Sequence, residues 1–176
     1  ILLFARVFDG ITDILMGAVV DRTSTAKGKA RPWIKRMILP YALALILLFT
    51  SPSFLPQEMK AVYAFATYVI SLAGVYTMTM VPYNTMLGTT TSDSKERGFL
   101  STSRTIFGFL GAFLVNGIVL KVVGMFGNVT EASSWTKMAA VFALVSAVLL
   151  TILYKNSKER VLETNEDYVD GQVEKV

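Results

Sequence analysis

The chain has 176 residues, 53% of them hydrophobic, with 17 Lys and Arg against 13 Asp and Glu and neither cysteine nor histidine. Its apolar residues fall in long runs rather than amphipathic stripes, which is the composition of a membrane protein and not of a soluble domain. The missing cysteines and histidines exclude disulfides, thiol catalysis and the usual zinc sites, and the basic residues flank apolar segments instead of lining one face, which argues for membrane-surface loops and against nucleic acid.

A helical span needs about 20 mainly apolar residues to cross roughly 30 Å of hydrocarbon. Five segments approach that length, at about 1–21, 35–54, 61–87, 99–126 and 137–154. The chain opens at Ile1 inside an apolar run, with no basic leader or small-residue cleavage site before it, and is expected to be an internal piece of a longer chain.

The first predicted span contains RVFDGITD, Arg6 to Asp13. At about 100° per residue, Arg6 and Asp13 fall within about 20° of each other and Asp9 about 40° from Asp13, so the three share one face. Asp13 precedes Asp21, at the end of the span, by about 12 Å at 1.5 Å per residue, which puts it near the bilayer midplane. Each carboxylate there costs about 2.5 to 3.5 kcal/mol on insertion scales, so lipid exposure is disfavoured. Arg6 can neutralise one acid through charge-assisted hydrogen bonds. The second acid calls for another positive partner, and a proton or a small metal cation such as sodium serves. The simpler alternative is a structural ion-pair network tying this helix to a neighbour.

The loop that follows, within GAVVDRTSTAKGKARPWI, carries Arg22, Lys27, Lys29, Arg31, Lys35 and Arg36. Retention of positive charge in the cytosol explains the basic residues, but not Asp21 at the helix end or the Gly, Pro and Trp among them. This loop is expected to pack across helix ends and make ion pairs that hold one face shut. Basic residues recur in the third loop and after the last span, while the second and fourth loops have few. The first helix is therefore expected to run from outside to inside.

In the third span Thr77, Thr79, Pro82, Asn84 and Thr85 interrupt the apolar run. Proline removes a backbone hydrogen bond, and such a break is tolerated at membrane depth where it lines a cavity or packs on protein. A binding-site wall and an ordinary kink, with threonines bonded to their own backbone, both fit. Asp93 and Glu96 have capping-box spacing ahead of the fourth span. In that span Gly108, Gly111 and Ala112 form a face for close helix packing, with Asn116 as one polar group. The fifth span is rich in Ala, Leu and Val. After Tyr154 the chain turns polar and mixed in charge, and residues 155–176 are expected to begin a cytosolic central linker.

The Arg-x-x-Asp-x-x-x-Asp stripe, combined with Gly17, Asp21, Arg22, Gly28, Lys29, Arg31, Pro32 and Trp33, resembles the glycoside-pentoside-hexuronide:cation symporters of the major facilitator superfamily. The resemblance continues through VPYNTMLGTTTSDSKERGFLSTSR and the tail. It implies an all-α integral membrane fold, with this chain matching helices two to six of the amino-terminal six-helix bundle of a twelve-helix transporter. It further implies that Asp9 and Asp13 form a cation site completed by Thr77, with Arg6 beside the acid pair. Arg104 matches a sugar-facing arginine. Met80 stands where the melibiose branch has a sugar-binding aspartate, Asn84 where it has a tryptophan that stacks on the sugar ring, and Ile14 where a proline commonly follows the second aspartate. The departures at Met80 and Asn84 argue against galactose-type specificity, and Ile14 implies a straighter helix.

The function expected from the sequence is a secondary active symporter in the cell membrane, inner or plasma, that imports a sugar or glycoside coupled to sodium or a proton. Its partners are that small molecule, membrane lipid and the remaining helices of the same chain; no cofactor and no nucleic acid are expected. Two alternatives stand beside it: the same fold carrying a lysolipid or other amphiphile, and a non-transporting membrane receptor or scaffold with a structural charge network. Enzyme chemistry is disfavoured, because no nucleophile accompanies the acid pair.

Overall fold

The computed structural model describes residues 2–25, 28–157 and 159, and over 2–9 the backbone alone. Among the described residues the regular structure is all helical. Helix α1 is Leu2–Asp21, α2 is Arg31–Leu48, α3 is Gln57–Thr90, α4 is Ser94–Phe126 and α5 is Ala132–Asn156. By length and composition α3, α4 and α5 can each cross a membrane. The other two are shorter, with Arg6, Asp9, Asp13 and Asp21 spread along α1 and Arg31, Lys35 and Arg36 gathered at the start of α2. Residues 160–176, most of the expected linker, lie outside the described residues.

Several ends depart from the sequence expectation. Helix α2 begins at Arg31 rather than near 35, with Pro32 in its first turn, where a missing N–H is no loss and the fixed φ suits a helix. It stops at Leu48 because the following segment carries Pro52 and Pro56, and Pro56 has the extended backbone that precedes the next helix. Helix α4 starts at Ser94 because Asp93 caps it, accepting from the Lys95 N–H at 2.9 Å. The capping box is not closed in its usual form. Glu96 instead accepts from the Thr91 hydroxyl at 2.7 Å, and that hydroxyl accepts from the Asp93 N–H at 3.2 Å, so the acid reaches the cap through a threonine.

Within α3, residues Ile70–Tyr76 form a π turn. The wider turn moves hydrogen bonds to i→i−5, and the Thr77 hydroxyl follows it, donating to the Leu72 carbonyl five residues back at 3.4 Å. Ser71, buried in the same turn, donates to the Ala44 carbonyl of α2 at 3.3 Å.

A hydrophobic cluster forms at the end of the bundle that holds the α1–α2 loop, the loop end. Met16 and Val20 of α1, Ala30, Ile34 of α2 and Met86 of α3 are buried together, with Trp33, Val81, Leu153 and Tyr154 against them. The most extensive pairing is α2 with α5, while α1 packs on the π turn and the second half of α3. At the far end Phe49 and Trp135 stack in parallel at 6.4 Å between centroids, and the Thr136 hydroxyl donates to the Phe49 carbonyl at 3.2 Å. Helix α4 exposes Phe99, Phe107, Phe109, Phe113 and Met125, so it is apolar around its circumference, as a membrane helix is. Nothing crowds the glycines of its small-residue face: a Cβ added at Gly108 or Gly111 would find nothing within 4 Å. The packing expected for that face is therefore not made among the described residues.

Candidate transport site

Two regions gather the residues that the sequence singled out. In the first, α1 presents positions 6, 9 and 13 along one helical face, and α1 lies against the π turn and the segment that begins at Thr77. Thr77 is buried, with 2% of its surface exposed, and Thr79 is buried two positions on. Asp13 is exposed. The side chains of Arg6 and Asp9 lie outside the described residues, so what the structure contributes is the contact of their helix with the Thr77 segment.

The second region lies between α3, α4 and the end of α5. A cavity of about 620 Å³ is lined by Tyr83, Glu96, Ser103, Arg104 and Asn156 among others. The Arg104 guanidinium sits over the Tyr83 ring, 4.5 Å from its centroid. Beyond that ring a second cavity of about 410 Å³ is almost wholly apolar, lined by Ile34, Thr79, Met80, Tyr83, Leu149, Leu150 and Leu153. Met80 and Arg104 thus belong to neighbouring cavities that share Tyr83 and Leu153. Asn84 is exposed and lines neither of them. Tyr83 was passed over in the sequence because one more aromatic in an apolar run carries no distinguishing signal.

The threonines of α3 behave as the simpler sequence reading expects. Thr79 donates to the Val75 carbonyl at 2.8 Å and Thr85 to the Val81 carbonyl at 3.1 Å, each satisfying its hydroxyl within its own helix. Pro82 is fully buried. With no N–H to offer, it leaves the carbonyl of Met78, four residues back, without its helical donor.

The loop motif is held largely through its backbone among the described residues. Gly28 has φ +101, a region L side chains rarely adopt, and its N–H donates to the Thr25 carbonyl at 2.9 Å. Trp33 donates through Nε1 to the Thr23 hydroxyl at 3.0 Å and lies under the Arg36 guanidinium. Arg31 reaches α5, where Nη2 donates to the Tyr154 carbonyl at 2.9 Å and the guanidinium stacks 5.1 Å from the Tyr154 ring centroid. The backbone N–H groups of Lys29, Ala30 and Arg31 all point at one carboxylate, that of Glu159. Asp21 and Arg22 are exposed, and a Cβ on Gly17 would meet nothing within 4 Å. Carboxylate-to-backbone and guanidinium-to-backbone bonds thus join this loop to α5 and the segment after it. Glu159 gave no local signal in the sequence, because its partners lie about 130 residues away.

A bundle of apolar helices, with carboxylates on one helix and a cavity holding an arginine over an aromatic ring, defines an integral membrane protein of the transporter class. Residues 1–175 match the family described as MFS/sugar transport protein, and the chain belongs to that family. It is 35% identical over 161 residues to the isoprimeverose transporter of Lactiplantibacillus pentosus, covering 90% of this chain and 33% of the relative. It is 31% identical over 159 residues to the inner membrane symporter YicJ of Escherichia coli (strain K12), covering 90% and 34%. It is also 31% identical over 165 residues to the glucuronide carrier protein homolog of the same organism, covering 92% and 35%. The chain spans about a third of the length of these relatives. The family bears out the resemblance seen in the loop and stripe motifs, and it is a family of transporters, not enzymes.

Proposed function

We propose that the protein carrying this chain is a symporter that imports a sugar or glycoside, coupled to sodium or a proton bound at Asp9 and Asp13 with Thr77. In this reading the chain supplies helices two to six of a twelve-helix transporter, with the loop end and the segment after α5 facing the cytosol. The observation that carries the reading is the pair of carboxylates one helical turn apart on α1, the helix that packs on the Thr77 segment. The names of the relatives, a sugar transporter and a symporter among them, support the substrate class and the coupling.

Mechanistically, a cation on the acid pair cancels the charge that Arg6 leaves unmatched, and the loaded protein can then rock between outward and inward states. Coupling is a reciprocal free energy: the cation tightens the sugar and the sugar tightens the cation. Arg104 would supply hydrogen-bond donors to sugar hydroxyls, beside the ring of Tyr83. The loop residues Gly17, Asp21, Arg22, Gly28, Lys29 and Arg31 would hold the cytosolic face shut in one of the two states.

The deciding experiment is uptake by the full-length protein across a glycoside panel, with and without sodium and at two external pH values. Asp9→Asn and Asp13→Asn abolish cation-stimulated uptake while insertion persists; normal coupled uptake in the double variant would sink the assignment. One observation favours a second reading, transport of an amphiphile such as a lysolipid: Met80 lines an apolar cavity where a sugar-binding acid would be expected. Competition of uptake by glycosides or by lysolipids separates the two.

A further inference from the structure

Helix α2 has no cap of its own. Its N-cap residue is Ala30, which offers no side-chain acceptor, and the first N–H groups of any helix lack partners within it. The acceptor comes from the other end of the described chain. Glu159 accepts from the Lys29 N–H at 2.8 Å, the Ala30 N–H at 3.0 Å and the Arg31 N–H at 2.8 Å. A carboxylate there also meets the positive end of the helix dipole.

The fit is close enough to dictate a neighbour. A Cβ on Gly28 would collide with the Glu159 carboxyl carbon and push it away, and the positive φ favours glycine there in any case. In the opposite direction Arg31 of α2 donates to the carbonyl of Tyr154 in the last turn of α5. Each helix end is thus satisfied by a side chain from the other segment.

We propose that Glu159 is the positioning residue of the loop motif. It touches neither cation nor sugar. It acts through the backbone of residues 28–31, fixing where Lys29 and Arg31 are presented, and so governs how fast the loop end opens and closes. A cap supplied by Glu159 couples the start of α2 to the end of α5: when that carboxylate leaves, three N–H groups lose their acceptor together. This rests on the gate reading of the loop given above and names the acceptor on which it depends.

The test is transport kinetics in the full-length protein, normalised to the amount in the membrane. Glu159→Ala lowers Vmax about five- to tenfold, the scale of losing a helix cap and its charge-assisted bonds, while equilibrium affinities for glycoside and coupling cation stay within about twofold. Glu159→Gln keeps the size and one acceptor oxygen and falls between. Gly28→Ala, which displaces the carboxylate by bulk, gives the same split between rate and affinity and serves if Glu159→Ala fails to accumulate. Wild-type Vmax in Glu159→Ala, or equal losses of rate and affinity, overturns the assignment. Asp21→Ala separates the two levels. If it slows transport while the Glu159 variants do not, only this inference fails; if neither slows transport, the gate reading fails as well.

Discussion

The guanidinium carbon of Arg104 lies 4.5 Å from the centroid of the Tyr83 ring, and the two residues come from different helices. A planar cation over a ring face is held electrostatically, by about 0.5 to 1 kcal/mol when exposed and about 2 kcal/mol or more when desolvated. The ring therefore fixes Arg104 within the cavity they share and also walls off the apolar cavity behind it.

Tyr83→Leu is expected to free Arg104 and raise the KM for glycoside uptake about three- to tenfold, in line with the loss of one cation–π contact. Tyr83→Phe keeps the face and should leave KM near its starting value. Uptake titrations in the full-length protein check this; an equal loss in both variants would assign the effect to the phenol hydroxyl instead.

Thr77 is buried beside the helix that carries the acid pair. Thr77→Val preserves the branched shape and removes the hydroxyl, and should weaken the coupling cation about tenfold, the scale of a lost charge-assisted contact. Thr77→Ser should retain most of the affinity. Cation dependence of uptake distinguishes them, and identical behaviour of the two variants would remove Thr77 from the site.

Ile34 is fully buried among Met16, Val20 and Met86. Ile34→Ala should cost about 2 to 4 kcal/mol, through lost packing and a residual cavity. Thermal unfolding of the purified protein in detergent should show a lower midpoint, and an unchanged one would mean that the loop-end core is not packed as described.

At the opposite end, Trp135→Ala removes the stack on Phe49. A stacked pair contributes about 0.5 to 1.5 kcal/mol beyond its buried area, and the Nε1 bond to the Val129 carbonyl at 2.8 Å is lost with it, so a lower midpoint is expected in the same assay, with no change in KM.

The helices were legible because each apolar run is long enough to announce itself, and their ends were not. The start of α2 depends on Pro32 and on a distant carboxylate, while that of α4 depends on Asp93, whose capping role the spacing to Glu96 did reveal. The acid pair stood out because an ionised group in an apolar span is costly. Arg104, by contrast, drew notice through family resemblance, since an arginine near a span end is otherwise unremarked. Tyr83 and Glu159 were missed for one reason: their importance lies in a partner on another segment. The π turn was hidden as well, because a widened helical turn leaves no mark in a sequence of ordinary apolar residues.

Helix α2 is fastened to α5 at both tips, by Arg31 and Tyr154 at one and by Phe49, Trp135 and Thr136 at the other. Two rods joined at each extremity form a brace that cannot shear along its length without undoing one of the joints. A slide of α2 along α5 has to undo one of these contacts first, whereas the π turn gives α3 a place to flex.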